Sequence, residues 1–470
     1  MSRMGWPIAG GRSKTTSTCG RSHTSNFGGR HLSYTISQLL HGKEDAMIKH
    51  GGVIITTITI LTLLVLALGC GPQATPAAQA PVGEIPIGSI NDTTGPTSDV
   101  GKDYAAGIQD AIRWINDHGG VNGKRIRLIL NDYGYRVPEA ITIYKRYRDI
   151  DKVVAVLGWG TGDTSALAPT VAKDQIPYIS ASYSGELTDP SKTPYNFFAA
   201  SDYSTNARAA LLAWYEEIWL KDDRFKAERE AGKKPRIVMF YSFPTPYSSA
   251  PIKALKEFAQ LLGFEIGPDQ DISLTALDAK SQVLAAKEFN PHVIWHGNTT
   301  QSVATAIRDA KALGLQADHL VNNWGFDENF LRLLGPQAEG VIGIAVSAFY
   351  GEDVPGMDRV KEAAQKYNPA LKERTIRTVQ AWANVMLLYE ALKKADAAGQ
   401  LNGPGIKAAI ESFRDLDIGL GVPPLTYTPD DHRPTSKVRI YIVRNGKFEL
   451  LKLVDLKEKF ADQWPKWKGY

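Results

Sequence analysis

The chain has 470 residues, 43% of them hydrophobic, with 54 Lys and Arg against 50 Asp and Glu and a formal net charge of +4. The basic surplus belongs to the first 69 residues, which hold seven basic and two acidic side chains, so the remainder carries 54 − 7 = 47 basic against 50 − 2 = 48 acidic groups. A net charge near −1 leaves no electrostatic footprint for nucleic acid, the two cysteines Cys19 and Cys70 build no disulfide framework, and about 400 residues exceed one ordinary core and call for two lobes.

Residues 1–46 are rich in Ser, Gly and Arg without apolar periodicity. A secretory signal begins near its charged region, so Met47 is the better start and 1–46 reads as a misassigned leader. Lys49 and His50 precede the uncharged apolar run Val53 to Leu68, too short for a comfortable membrane span, and Leu68-Gly69-Cys70-Gly71 follows. The pattern over 47–69 is a lipoprotein signal, cleaved before Cys70, whose sulfur and amine would then carry the acyl chains of a membrane anchor. An uncleaved signal anchor is the alternative. Residues 70–83, rich in proline and alanine, form a tether.

A strand at Ile85 to Ile90 runs into the polar, glycine-punctuated loop Asn91 to Gly101 and then a helix whose stripe is Tyr104, Ile108, Ala111, Ile112 and Ile115. After the turn at Val121 to Lys124 a second strand spans Ile126 to Asn131. This βαβ unit places its first loop at the carboxyl end of a parallel strand, where such sheets bind ligands. The alternation continues with a helix at Pro138 to Ile150, a strand at Val153 to Leu157, a helix at Thr164 to Lys173 and a strand at Ile176 to Ser180. A second series begins with a helix at Thr205 to Leu220, followed by a charged segment. Strands are expected at Arg236 to Tyr241, Val293 to His296 and His319 to Asn322, with helices at Ser249 to Leu262, Lys280 to Phe289 and Ser302 to Leu313. Helices at Met357 to Tyr367, Ile376 to Ala397 and Gly405 to Phe413 then precede a hairpin, Val438 to Val443 and Phe448 to Leu453, turning at Asn445-Gly446.

The run Thr94 to Gly101, with Gly107, Ala111, Ile115-Asn116, Gly119 to Gly123 and Asn131-Asp132, resembles the branched-chain amino acid (Leu/Ile/Val) binding proteins of ABC importers. Val156-Leu-Gly158, Ile176 to Ser180, Pro246-Tyr247 and Gly340-Val-Ile-Gly343 continue the likeness over nearly all of residues 85 to 455. The resemblance implies an α/β fold of two Rossmann-like lobes with parallel central sheets, joined by a hinge of three crossovers near Ala200, Ser347 and Tyr427. Lobe 1 is then 84–200 plus 348–427, and lobe 2 is 201–347 plus 428–460. Closure of such lobes clamps a small ligand.

Two loops at the first sheet's edge suit an oxygen-bearing ligand. Gly158 to Ser165, with Trp159, Thr161, Gly162 and Asp163, bares backbone amides at a helix N-terminus; Ser180 to Gly185, with Ser182, Tyr183 and Ser184, adds hydroxyls and an aromatic ring. In the resembled family these loops hold the ligand's carboxylate and ammonium. A helix cap without ligand explains either loop alone. From the second lobe, Tyr247 stands where the family has a ligand-touching tyrosine, Asn298 and Thr299 follow the strand Val293 to His296, and Trp324 follows the strand His319 to Asn322. Trp324 departs from the family, which has an acidic residue there for the ammonium; either Asp163 supplies that charge or the ligand lacks an ammonium. Trp159, Tyr183, Tyr247 and Trp324 could instead line an aromatic cavity, although a lone aromatic residue is more often core.

No nucleophile elbow, zinc-protease pair or metal-spaced histidine set is present, and His296 is the one candidate base, more simply read as a satisfied core group. The expectation is therefore a non-enzymatic solute-binding lipoprotein, periplasmic or at the cell surface and lipid-anchored. It would bind a small organic ligand (an amino acid, an amide, or an aromatic or aliphatic carboxylate), act as a monomer with ABC permease subunits, and need no cofactor or metal. A ligand-sensing ectodomain subunit and an exported hydrolase are the alternatives.

Overall fold

A computed structural model describes residues 83–470. The expected leader, the signal, the lipid site Cys70 and all of the tether but its last residue lie outside them.

Five strands, β1 (Glu84–Asn91), β2 (Arg125–Asp132), β3 (Ala155–Gly158), β4 (Tyr178–Ser180) and β5 (Asn196–Phe197), make a parallel sheet in the order β2-β1-β3-β4-β5. The chain steps to one side of β1 for β2 and to the other for β3, so the crevice beyond their carboxyl ends is a topological switch point. Every residue of β3 and β4 is buried, as continuous apolar strands under helices on both faces should be.

The second sheet runs β13-β12-β11-β10-β9-β6-β7, with β8 paired to β6. Its parallel part is β6 (Arg236–Tyr241), β7 (Glu265–Ile266), β8 (Gln270–Asp271), β9 (Val293–His296), β10 (Asp318–Val321) and β11 (Ile342–Ala345). The hairpin of β12 (Lys437–Arg444) and β13 (Lys447–Asp455) adds to it through antiparallel β11–β12 pairing. Asn445 and Gly446 both have positive φ, 52° and 69°, the conformation a two-residue hairpin turn requires.

The 22-residue helix Ile376–Ala397 is buried over most of its length and packs against the helix Ser98–Asp117. Gly107 makes that approach possible, since a β-carbon there would lie 2.8 Å from the Thr378 carbonyl oxygen. Asn384 fastens the long helix to the first sheet: its amide donates to Ser180 O at 2.9 Å and to Tyr104 Oη at 2.7 Å and accepts from Ala199 N at 2.8 Å. The helix Tyr203–Trp214 packs instead on the second sheet.

The chain thus passes between the two sheets three times, at 198–202, 346–356 and 428–436, and these segments are tied together. Tyr427 Oη donates to Phe198 O at 2.7 Å, and Ala348 N donates to Leu420 O at the same distance. Several short elements appear that periodicity did not single out, among them β5, β7, β8, β11 and the helix Glu328–Leu334. Two-residue β5 is too short to show alternation. In β11 the glycine at 343 interrupts the apolar pattern, because the Phe326 ring occupies the space of its missing side chain.

Candidate functional site

The loop after β1 is built around one carboxylate. Asp92 accepts from Gly95 N at 2.6 Å, Thr97 N at 2.9 Å and Thr97 Oγ1 at 2.6 Å. A β-carbon at Gly101 would collide with the Asp92 carbonyl, so the helix Ser98–Asp117 starts flush against this loop. Thr97 Oγ1 in turn receives Trp159 Nε1 at 2.9 Å, which fixes the indole that follows β3. Thr161, first residue of the helix Thr161–Asp174, shares a 2.7 Å hydroxyl contact with Ser182 beyond β4.

From the second sheet, the turn after β10 carries Trp324. Its backbone N–H donates to Asn322 Oδ1 at 2.7 Å, and Asn322 Nδ2 donates to His296 O and Asn298 O. Asp327, in the same turn, pairs with Arg377 of the long helix at 3.0 Å, both side chains being buried. The Trp324 ring reaches across to the first lobe. Its centroid is 5.1 Å from Trp159, 6.1 Å from Tyr104 and 5.7 Å from Tyr183, and it stacks on the last of these. The Arg377 guanidinium sits 5.1 Å from the ring, and the indole N–H donates to Tyr203 Oη at 2.8 Å.

Between the lobes remains a cavity of about 20 Å³, walled by Trp159, Thr161, Tyr203, Trp324 and three hydroxyl-bearing residues, Tyr135, Tyr247 and Thr299. That is room for a water molecule. The hydroxyl oxygens of Tyr135, Tyr247 and Thr299 are buried without a well-aligned hydrogen-bond partner, that of Thr299 lying beside the Tyr247 hydroxyl and the Asp99 carboxyl. Burial holds both tyrosine hydroxyls well above their usual range, so they stay protonated as donors. An unpaired buried polar group costs about 1–3 kcal/mol, so three such hydroxyls around one cavity make it the candidate site.

Four of the ten expected ligand contacts, Trp159, Thr161, Tyr247 and Trp324, line this cavity. The other six do not. Asp163 turns into the lobe, where it accepts from Tyr133 Oη at 2.6 Å and lies beside Tyr178; burial pushes its carboxyl up to about 7. Ser182 is held by Thr161. Tyr183 backs the Trp324 ring. Gly162 faces Val137 and Pro246, and Ser184 lines a separate chamber of about 600 Å³ that shares Thr161 with the inner cavity. Asn298 uses its whole amide on the scaffold, accepting from Ser242 N and Ser248 Oγ and donating to Ile272 O and Ser302 Oγ. Thr299, expected beside Asn298 after its strand, also lines the cavity, and Tyr135 and Tyr203 complete it unforeseen. Tyr135 follows β2 as a polar strand-end residue, a signal open to reading; Tyr203 sits at a crossing, where no pattern marks it.

His296, the candidate base, is buried with its Nε2 2.9 Å from Nδ1 of His319. Burial drives both imidazoles down, His319 to about 3, so the pair is neutral. It does not line the cavity. Among the described residues no group of three or more His, Cys, Asp or Glu is placed to hold a metal ion.

Residues 84–447 match the family of periplasmic binding proteins. A substrate-binding protein of an ABC transporter from Aeropyrum pernix is 33% identical, with a TM-score of 0.70 over 79% of this chain and 96% of that one. A branched-chain amino acid ABC transporter protein from Thermus thermophilus with bound valine shares the fold at a TM-score of 0.72 and 22% identity, over 80% of this chain and 99% of that one. A Leu/Ile/Val-binding protein homolog 7 of Brucella abortus (strain 2308) is 24% identical over 77% of this chain and 87% of its own length. The match spans both sheets and the crevice between them, and the chain belongs to the periplasmic binding protein family.

Proposed function

We propose that this protein is the extracytoplasmic solute-binding component of an ABC importer, held at the membrane by lipid on Cys70, which captures a small organic ligand between its lobes. The three hydroxyls without a well-aligned partner at the inter-lobe cavity carry the reading. They are pre-placed donors for an oxygen-bearing end, while Trp159, Tyr203 and Trp324 offer an aromatic wall. The crossings at 198–202, 346–356 and 428–436 are the hinge about which the lobes part.

The ligand is an aromatic or aliphatic carboxylate or amide in preference to a free branched-chain amino acid. An ammonium needs a carboxylate partner, and losing such a buried partner costs an amine about 3–5 kcal/mol. Trp324 has none to give, and Asp163, facing Tyr133 with its pKa at about 7, is turned away and poorly charged. Native mass spectrometry of the purified chain decides: a co-purifying oxyacid or amide is expected. Release of leucine, isoleucine or valine would refute the ligand class, and a chain that binds no small molecule from any extract would refute solute binding.

A further inference from the structure

With the lobes together, a side chain of the protein itself fills the inner part of the cleft. The Trp324 indole is 4% exposed, and the groups around it form a receptor for a flat ring. Tyr104 and Trp159 meet it edge to face, Tyr183 stacks on it, Arg377 adds a cation and Tyr203 accepts its N–H. Tyr104, Trp159, Tyr183 and Arg377 lie on elements packed with the first sheet, whereas Trp324 is pinned by Asn322 and Thr300 to the second. The backbone that carries the ring is thus held by the second sheet, and parting the lobes withdraws the ring once the bonds from Arg377 to Asn323 O, Phe326 O and Asp327 of the same turn are broken.

We propose that Trp324 is an internal stand-in for the ligand: it holds the lobes together when the cleft is empty, and the ligand must displace it. This rests on the solute-binding reading for what does the displacing, but the stand-in itself can be tested without any ligand. The pocket also names the chemistry of its competitor. A planar aromatic acid fits, its ring replacing the indole among Tyr104, Trp159 and Tyr183, and its carboxylate accepting hydrogen bonds from the hydroxyls of Tyr135, Tyr247 and Thr299. A ring N–H or O–H would reuse the Tyr203 oxygen.

Trp324 as an ordinary ligand contact and Trp324 as a competitor make opposite predictions. Small-angle scattering of the ligand-free protein should give a larger radius of gyration for Trp324→Ala than for the wild type, because the empty cleft has lost its occupant. Calorimetry with indole-3-acetate should show at least tenfold tighter binding to Trp324→Ala. Trp324→Phe, which offers Tyr104, Trp159 and Tyr183 a smaller ring, serves if the alanine variant does not fold, and should move both readouts the same way by less. Equal radii without ligand, or weaker binding by the variant, would overturn the proposal. A larger radius with no indole-3-acetate bound to either protein upholds the stand-in and refutes the aromatic-acid class alone.

Discussion

The carboxylate of Asp99, in the first turn of the helix Ser98–Asp117, accepts the backbone N–H of Gln301 at 3.1 Å, at the start of the helix Thr300–Ala312. One lobe thus supplies a carboxylate to the open N-terminus of a helix in the other, a favourable arrangement because the first helical amides lack partners and carry partial positive charge. The contact exists only while the lobes are together. The other oxygen of Asp99 is buried beside the Thr299 hydroxyl.

Asp99→Asn should therefore weaken closure and leave each lobe intact. We expect a loss of about 1 kcal/mol of closure free energy, the size of a helix-end charge or cap, read by small-angle scattering as a larger radius of gyration of the empty protein. An unaltered radius would show that the contact contributes nothing to closure.

Breaking the Arg377–Asp327 pair should be far more damaging. Both side chains are buried, and Arg377 also donates to the Asn323 and Phe326 carbonyls. Arg377→Met leaves a buried carboxylate without its cation, a loss of about 3–5 kcal/mol. Denaturant titration should show this, and the double change Arg377→Met with Asp327→Leu should recover part of it.

The pH dependence of stability should carry the mark of Asp163. Its folded pKa, about 7, stands above the ordinary 3.8 because burial penalises the charge. A raised pKa means that the folded state binds the proton more tightly. The contribution is full below about pH 4, and it fades as pH rises through about 7. Glu328, pushed to about 7 by burial, has the same sign. Melting temperature should fall between pH 5 and 8, and Asp163→Asn should flatten that fall; an identical profile in the variant would show that Asp163 is ionised throughout.

Replacing Cys70 with Ser should move the protein from the membrane to the soluble fraction, since a lipid on its sulfur and amine is the proposed anchor. Retention at the membrane after the change would favour an uncleaved anchor formed by Val53 to Leu68.

The α/β alternation was legible because it rests on periodicity, and the βαβ units from Glu84 onward fold as that pattern requires. The hairpin turn at Asn445-Gly446 was equally readable, since few residue pairs tolerate two positive φ angles. The site was legible only in part. Loops at the carboxyl ends of strands could be found, so Trp159, Thr161, Tyr247 and Trp324 were within reach. Which way a loop residue points depends on partners distant in sequence. Asp163 turns inward to Tyr133, Asn298 is consumed by Ser242, Ser248, Ile272 and Ser302, and Asp99 finds its partner 202 residues away. No local pattern encodes those choices. That Trp324 fills the cleft needed both lobes to be placed at once.

The packing of Ile376–Ala397 on Ser98–Asp117 also sets the order in which the molecule can assemble. The strands of the first sheet are complete by Phe197, yet the helix that covers the Tyr104 side arrives about 180 residues later, after the whole parallel part of the second sheet. Contacts closed over so long a stretch of chain form slowly. A growing polypeptide therefore keeps Tyr104, Ile108 and Ala111 bare until its last third is synthesised. The first lobe is thus the earlier to begin and the later to finish, since it waits on the helix Ile376–Ala397.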